Sequence, residues 1–75
     1  MKKLGPVVKT AQNLAIVRCP GEEYPDIGTM VIDEQLQTVG RVVDVFGPVD
    51  RPYVAVAPDD DVRLAAMLGT KLYAR

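Results

Sequence analysis

The sequence has no histidine and a single cysteine, Cys19. One thiol cannot form an internal disulfide, and it cannot fill the tetrahedral shell of a Cys/His zinc site. The same two scarcities leave Cys19 without an imidazole to activate it and leave the chain without a histidine base. No phosphate-cradling glycine loop is present. No apolar stretch approaches the roughly 18 residues that a membrane-spanning helix needs, and the basic start Met1-Lys2-Lys3-Leu4-Gly5-Pro6 is followed by no apolar run of signal-peptide length. There is also no excess of positive charge. Nine Lys and Arg stand against ten Asp and Glu, for a net charge of −1 and an isoelectric point near 5.2. A stand-alone nucleic-acid binder normally carries a strong basic balance. The expectation is a soluble, intracellular protein with no cofactor, no metal and no catalytic residues.

What is present is one small domain of 75 residues, 1–75. A chain this short buries only about 60% of its unfolded surface, so a disulfide, a metal or a partner commonly helps to hold such a fold. With the first two excluded, a partner surface is the support that remains, unless a well-packed barrel suffices alone. Charge is distributed unevenly. Lys2, Lys3, Lys9, Lys71 and Arg75 lie near the two termini and would meet if the first and last strands pair. Acids fill the middle, with Glu22, Glu23, Asp26, Asp33 and Glu34, and again at Asp59–Asp61.

Valine is the commonest residue, and its branched Cβ favours strands. Short apolar runs broken by Gly, Pro and Asp predict an all-β barrel or sandwich. Strands are expected over Pro6–Thr10, Leu14–Arg18, Thr29–Ile32, Gln37–Phe46 with a bend at Gly40, Tyr53–Ala57 and Lys71–Ala74. Turns are expected at Ala11–Asn13 and Asp33–Gln35, and Cys19–Ile27 reads as a loop. One short helix is expected before the last strand. Asp59 would cap it, Asp60 and Asp61 would meet the positive end of its dipole, Val62–Leu68 would give an apolar face, and Gly69 would end it. Consecutive aspartates do not converge on one ion, so the helix start is preferred to a cation site.

The informative segment is Val39–Pro58, which reads as a hairpin closed by Gly47-Pro48-Val49-Asp50-Arg51-Pro52. Pairing Phe46 with Tyr53 and alternating strictly puts Val43, Val45, Val54 and Val56 on one face. The other face then holds Val42, Asp44, Phe46, Tyr53, Ala55 and Ala57. An outer face of a small barrel should be polar. This one has one charge and two of the four aromatic residues in the chain, which marks either a protein interface or a surface covered by the helix. Pro48 and Pro52 stiffen the loop in advance, so little entropy is lost when it binds.

Here the pattern Gly40-x-Val42-x-x-x-Phe46-Gly47-Pro48-Val49-x-x-Pro52-Tyr53-x-x-Val56 resembles the Gar family, the glycine-arginine-rich-domain subunit of the box H/ACA ribonucleoprotein. Gly28-Thr29-x-Val31-x-Asp33 and Leu68-Gly69-x-Lys71-Leu72-Tyr73 fit as well, so the resemblance runs from about Pro6 to Ala74. It implies a six-stranded antiparallel barrel of the type shared by certain reductases and elongation factors. It implies docking on the catalytic domain of the dyskerin-type pseudouridine synthase, with help in substrate loading and product release, and only indirect association with the guide RNA and the other particle subunits. The docking residues it points to are Val42, Phe46, Gly47, Pro48, Val49, Pro52, Tyr53 and Ala55. Arginine–glycine repeats are absent, which points to a compact archaeal-type, cytoplasmic form and away from direct RNA binding. The rival readings are a small RNA-binding barrel with Phe46 and Tyr53 as stacking platforms, and a translation-factor-like barrel.

On this reading the chain alone is expected to convert no uridine. Incubating it with a guide RNA and substrate, without synthase, should give no pseudouridine, and any turnover would contradict the assignment.

Overall fold

The computed structural model describes residues 2–21 and 24–75. Met1, Glu22 and Glu23 lie outside the described residues, and with them part of the acidic middle and of the expected Cys19–Ile27 loop. The strands are β1 (Lys2–Ala11), β2 (Leu14–Arg18), β3 (Met30–Ile32), β4 (Thr38–Phe46), β5 (Tyr53–Pro58) and β6 (Lys71–Ala74). They close into a six-stranded antiparallel barrel in the order β1-β2-β5-β4-β3-β6. The expected all-β class is present, and the first and last strands do pair.

Local chemistry accounts for the tight turns. Gln12 and Asn13 take φ of 52° and 65° between the paired residues Ala11 and Leu14. This is the left-handed two-residue connection that matches strand twist. After β3, the Asp33 carboxylate accepts hydrogen bonds from the backbone N–H of Gln35 at 2.9 Å and of Gln37 at 3.0 Å, which fixes the turn into β4.

β1 begins four residues earlier than expected, at Lys2. Its first half pairs with β6 and its second half with β2, so one strand serves two neighbours and shuts the barrel. Extra residues at Leu4 and Val8 shift its register on each side, and such bulges bend and twist a strand as closure requires.

β4 carries the main departure from strict alternation. Its register slips at Val39 against β3 and at Val43 against β5. Phe46↔Tyr53, Val45↔Val54 and Asp44↔Ala55 pair as expected, but Val56 then pairs with Val42 instead of Val43. Consequently Val39, Val42 and Val45 face inward at intervals of three residues, with Val42 1% exposed. Val43 stands outside, 41% exposed. The expectation that Val42 lies on the outer face is therefore corrected: one inserted residue moves a side chain to the opposite side of a sheet. Gly40 follows the first slip. A Cβ there would collide with the Ala57 carbonyl oxygen, so the small residue permits close approach of β5.

The expected helix is a four-residue 3-10 turn, Leu64–Met67. Asp59 is not its cap. The Asp59 N–H donates to the Val39 carbonyl and its carbonyl accepts from the Val62 N–H. Arg63 takes the N-cap position, with no side-chain cap bond. Only Met67 of the turn enters the core, while Ala65, Ala66 and Leu68 are exposed. A single buried anchor does not offset the cost of nucleating a longer helix. The segment packs against β1 and β2 with Met67, Val62 and Leu64 on the central cluster.

A matched pair of substitutions checks the register. Val42→Thr places a hydroxyl in the core and is expected to lower stability by about 2 kcal/mol. Val43→Thr, on the surface, should change it by less than about 0.5 kcal/mol. Urea unfolding of both variants decides; the reverse order would restore unbroken alternation.

Candidate functional site

Alternation about the core residues Ala15, Val17, Val54 and Val56 turns Ile16, Arg18, Tyr53 and Ala55 outward. The observed registers then arrange the outer surface of β2, β5 and β4 in rows. Arg18–Tyr53–Phe46 form one row and Ile16–Ala55–Asp44 the next, and Arg41 follows beside Ala57 at the edge of the hairpin. Ile16 and Ala55 are only 4% and 2% exposed although they face away from the central cluster. This patch is apolar at its centre and polar at its edges.

The first row is a stacked array. The Phe46 and Tyr53 rings lie 5.5 Å apart at 20°. On the other strand, the Arg18 guanidinium carbon sits 5.1 Å from the Tyr53 ring centre. Such contacts contribute about 0.5–1.5 kcal/mol for the aromatic pair and about 0.5–1 kcal/mol for an exposed cation over a ring. The Arg18 Nε is buried without a hydrogen-bond acceptor, and the electron-rich ring face is the partner its charge has instead. Phe46 remains 42% exposed.

The loop after Phe46 is tied to the barrel at both ends. Gly47 has φ of 94°, and a Cβ there would fall 2.8 Å from the Tyr53 Cδ2. Only glycine suits both the backbone angle and the ring beside it. The Arg51 N–H donates to the Pro48 carbonyl at 3.2 Å, and the Cys19 N–H donates to the Pro52 carbonyl at 3.0 Å. The Arg51 Nε–H reaches the Cys19 carbonyl at 3.4 Å. Pro52 is buried by this lock, while Val49 at the tip is 91% exposed. Asp44 turns its carboxylate back onto the Val45 N–H at 2.8 Å.

Of the residues the sequence pointed to, Phe46, Gly47, Pro48 and Val49 are exposed, Tyr53 is half-buried, and Pro52 and Ala55 are buried beneath them. Val42 is not part of this surface. Val43 and Arg18 belong to it, with Ile16 buried beneath, and none of the three was anticipated. The adjacent valines at 42 and 43 were the available sign of a slip, since the inward residues on either side of Val43 are three apart. The pairing that brings Ile16 and Arg18 alongside β5 joins strands far apart in sequence and left no local mark.

The geometry offers binding and no acid–base constellation. Burial pushes the Cys19 thiol up from its ordinary value, so it stays protonated at neutral pH. No group of His, Cys, Asp and Glu that could hold a metal occurs among the described residues. A groove of about 500 Å³ is lined by Lys2, Lys3, Leu4, Pro20, Gly21, Tyr24 and Pro25, none of them a hairpin residue.

The model of the Gar1/Naf1 RNA binding region matches residues 1–75. An uncharacterized protein of Methanocaldococcus jannaschii is 40% identical over 50 residues, which cover 67% of this chain and 58% of that protein. The chain thus spans somewhat more than half the length of that relative.

Gly47→Ala is expected to cost about 1–2 kcal/mol, the penalty of a side chain in left-handed backbone, and to displace the Tyr53 ring. Gly21→Ala, where a Cβ would meet nothing within 4 Å, should stay within about 0.5 kcal/mol. Thermal unfolding together with the Phe46 and Tyr53 ring-proton shifts measures both effects.

Proposed function

The chain belongs to the Gar1/Naf1 RNA binding region family, and from that premise we propose that it is a non-catalytic, cytoplasmic subunit of the box H/ACA pseudouridylation particle. It docks on the catalytic domain of the pseudouridine synthase through the outer surface of the β4–β5 hairpin and assists substrate loading and product release. The observation that carries this reading is the exposed end of the Arg18–Tyr53–Phe46 array beside Val43 and Val49. Apolar and aromatic groups on a surface otherwise suited to solvent are what a protein partner desolvates. The loop that presents them is already fixed by Pro48, Pro52 and the bonds to Cys19, so little conformational freedom is lost on docking.

A second reading has an observation in its favour: an exposed Phe46 face is a platform on which a base can stack. Charge argues the other way. Arg18, Arg51 and, at the hairpin's edge, Arg41 stand against Asp44 and Asp50 on this surface, a balance of about one positive charge that offers phosphates little attraction. A protein partner is therefore preferred here.

Phe46→Ala and Tyr53→Ala should each weaken synthase binding roughly thirty-fold, the equivalent of about 2 kcal/mol for an aromatic anchor, with the barrel still folded. Val54→Ala, in the core, should lower stability first. Capture of wild-type protein by the synthase should persist in high salt, as apolar contacts do and phosphate contacts do not. Loss of capture in salt, or no effect of either aromatic substitution, would overturn the assignment of this face.

A further inference from the structure

The terminal cations take no part in the hairpin surface. In the closed barrel, β6 lies three places from β5 and so on the opposite side. Leu72 and Ala74 enter the core, which turns Lys71, Tyr73 and Arg75 outward at intervals of about 7 Å along the strand. Lys3 pairs with Tyr73, and Tyr73 with Ile32 on the far side. The Arg75 N–H donates to the Met30 carbonyl at 2.9 Å, and Met30 pairs with Arg41. Lys3, Lys71 and Arg75, all exposed, therefore flank a half-buried Tyr73, and exposed Arg41 lies further round the barrel, beside Met30. Some acids lie elsewhere, Asp44 and Asp50 on the hairpin and Asp59 and Asp60 after β5, while Asp61 lines a cleft with Asp33, Thr70 and Leu72 at the start of β6. Glu34 lines the same shallow cleft as Tyr73, and Asp33 there is committed to the backbone of Gln35 and Gln37.

We infer that this face, centred on β6, carries the chain's contact with RNA. Lys3, Lys71, Arg75 and Arg41 engage the sugar–phosphate backbone, and the Tyr73 ring is held among them. The inference rests on the ribonucleoprotein reading of the family and is independent of which protein meets the hairpin. The acidic whole-chain balance is compatible with it because charge is distributed unevenly: Lys3, Lys71 and Arg75 lie together on one side of the barrel, Arg41 lies between that side and the hairpin, and the hairpin is nearly neutral. Contacts to phosphate without base-edge donors position a backbone and do not read sequence. Four cations give weak, salt-sensitive attachment by the free chain, and a protein partner on the opposite face leaves them accessible.

The test is a titration of isotope-labelled full chain with an unstructured 20-nucleotide single-stranded RNA, followed by amide NMR at 50 and 200 mM salt. Shifts should map to Lys3, Met30, Tyr73 and Arg75. With a slope near −0.7 per phosphate contact on single strands, wild-type affinity should fall about fifty-fold between the two salts. The combined variant Lys3→Gln, Lys71→Gln, Arg75→Gln should bind more weakly and lose only about threefold, with unchanged spectral dispersion and unchanged capture by the synthase. Glu34→Gln should tighten binding. Shifts centred on Phe46 and Tyr53, an absence of shifts, or an unaltered salt dependence in the combined variant would overturn the inference. If RNA maps to β6 but the synthase is not captured, the hairpin proposal fails and this one stands.

Discussion

Closure of the sheet is the constraint on which everything else depends. A short chain with one cysteine has neither a disulfide nor a large core to hold it, and an open sheet of six strands would leave two unpaired edges. The barrel removes them by making β1 long enough to pair with β6 over its first half and β2 over its second. Closure demands curvature, and the register slips in β1 and β4 provide it. The cost is that β4 cannot alternate strictly. Val39, Val42 and Val45 fill the interior at intervals of three, and Val43 is left outside.

That displaced valine links packing to function. The slip at Val43 leaves the last three residues of β4 in the register that aligns Phe46 with Tyr53 and, across β5, with Arg18. The array exists because strands distant in sequence are neighbours in the barrel. Gly47 permits the chain to leave the strand beneath the Tyr53 ring, and the bonds between Pro52, Arg51 and Cys19 hold the returning loop. Cys19 contributes its backbone to this lock, while its buried thiol takes no part.

The exterior is divided by the same topology. Core-facing and outward residues alternate on β5 and β6, and these strands occupy opposite sides of the closed ring. Aromatic and aliphatic groups collect on one side, and Lys3, Lys71 and Arg75 on the other, with Arg41 between them. A small barrel with two unlike faces suits a subunit that lies between a protein and a polyanion. The adjustment is in charge placement, since net charge alone (−1) describes neither face.

Much was legible in the residues themselves. Strand-forming valines separated by Gly, Pro and Asp gave the all-β class; β2 and β6 have the bounds expected from their alternation. The pairing of Phe46 with Tyr53, taken as the starting point for reading the hairpin, is the one observed, and the Gar-like motif fell on that hairpin. These are consequences of local propensity and short-range pairing, and they survive whatever surrounds them. Tertiary structure alone decided the slip that buries Val42, the placement of Arg18 and Ile16 beside β5, and the shortening of the expected helix to a 3-10 turn anchored by Met67. Each depends on how a closed ring distributes curvature and covers its end, and a single inserted residue reverses a face without changing the composition that predicts the strand.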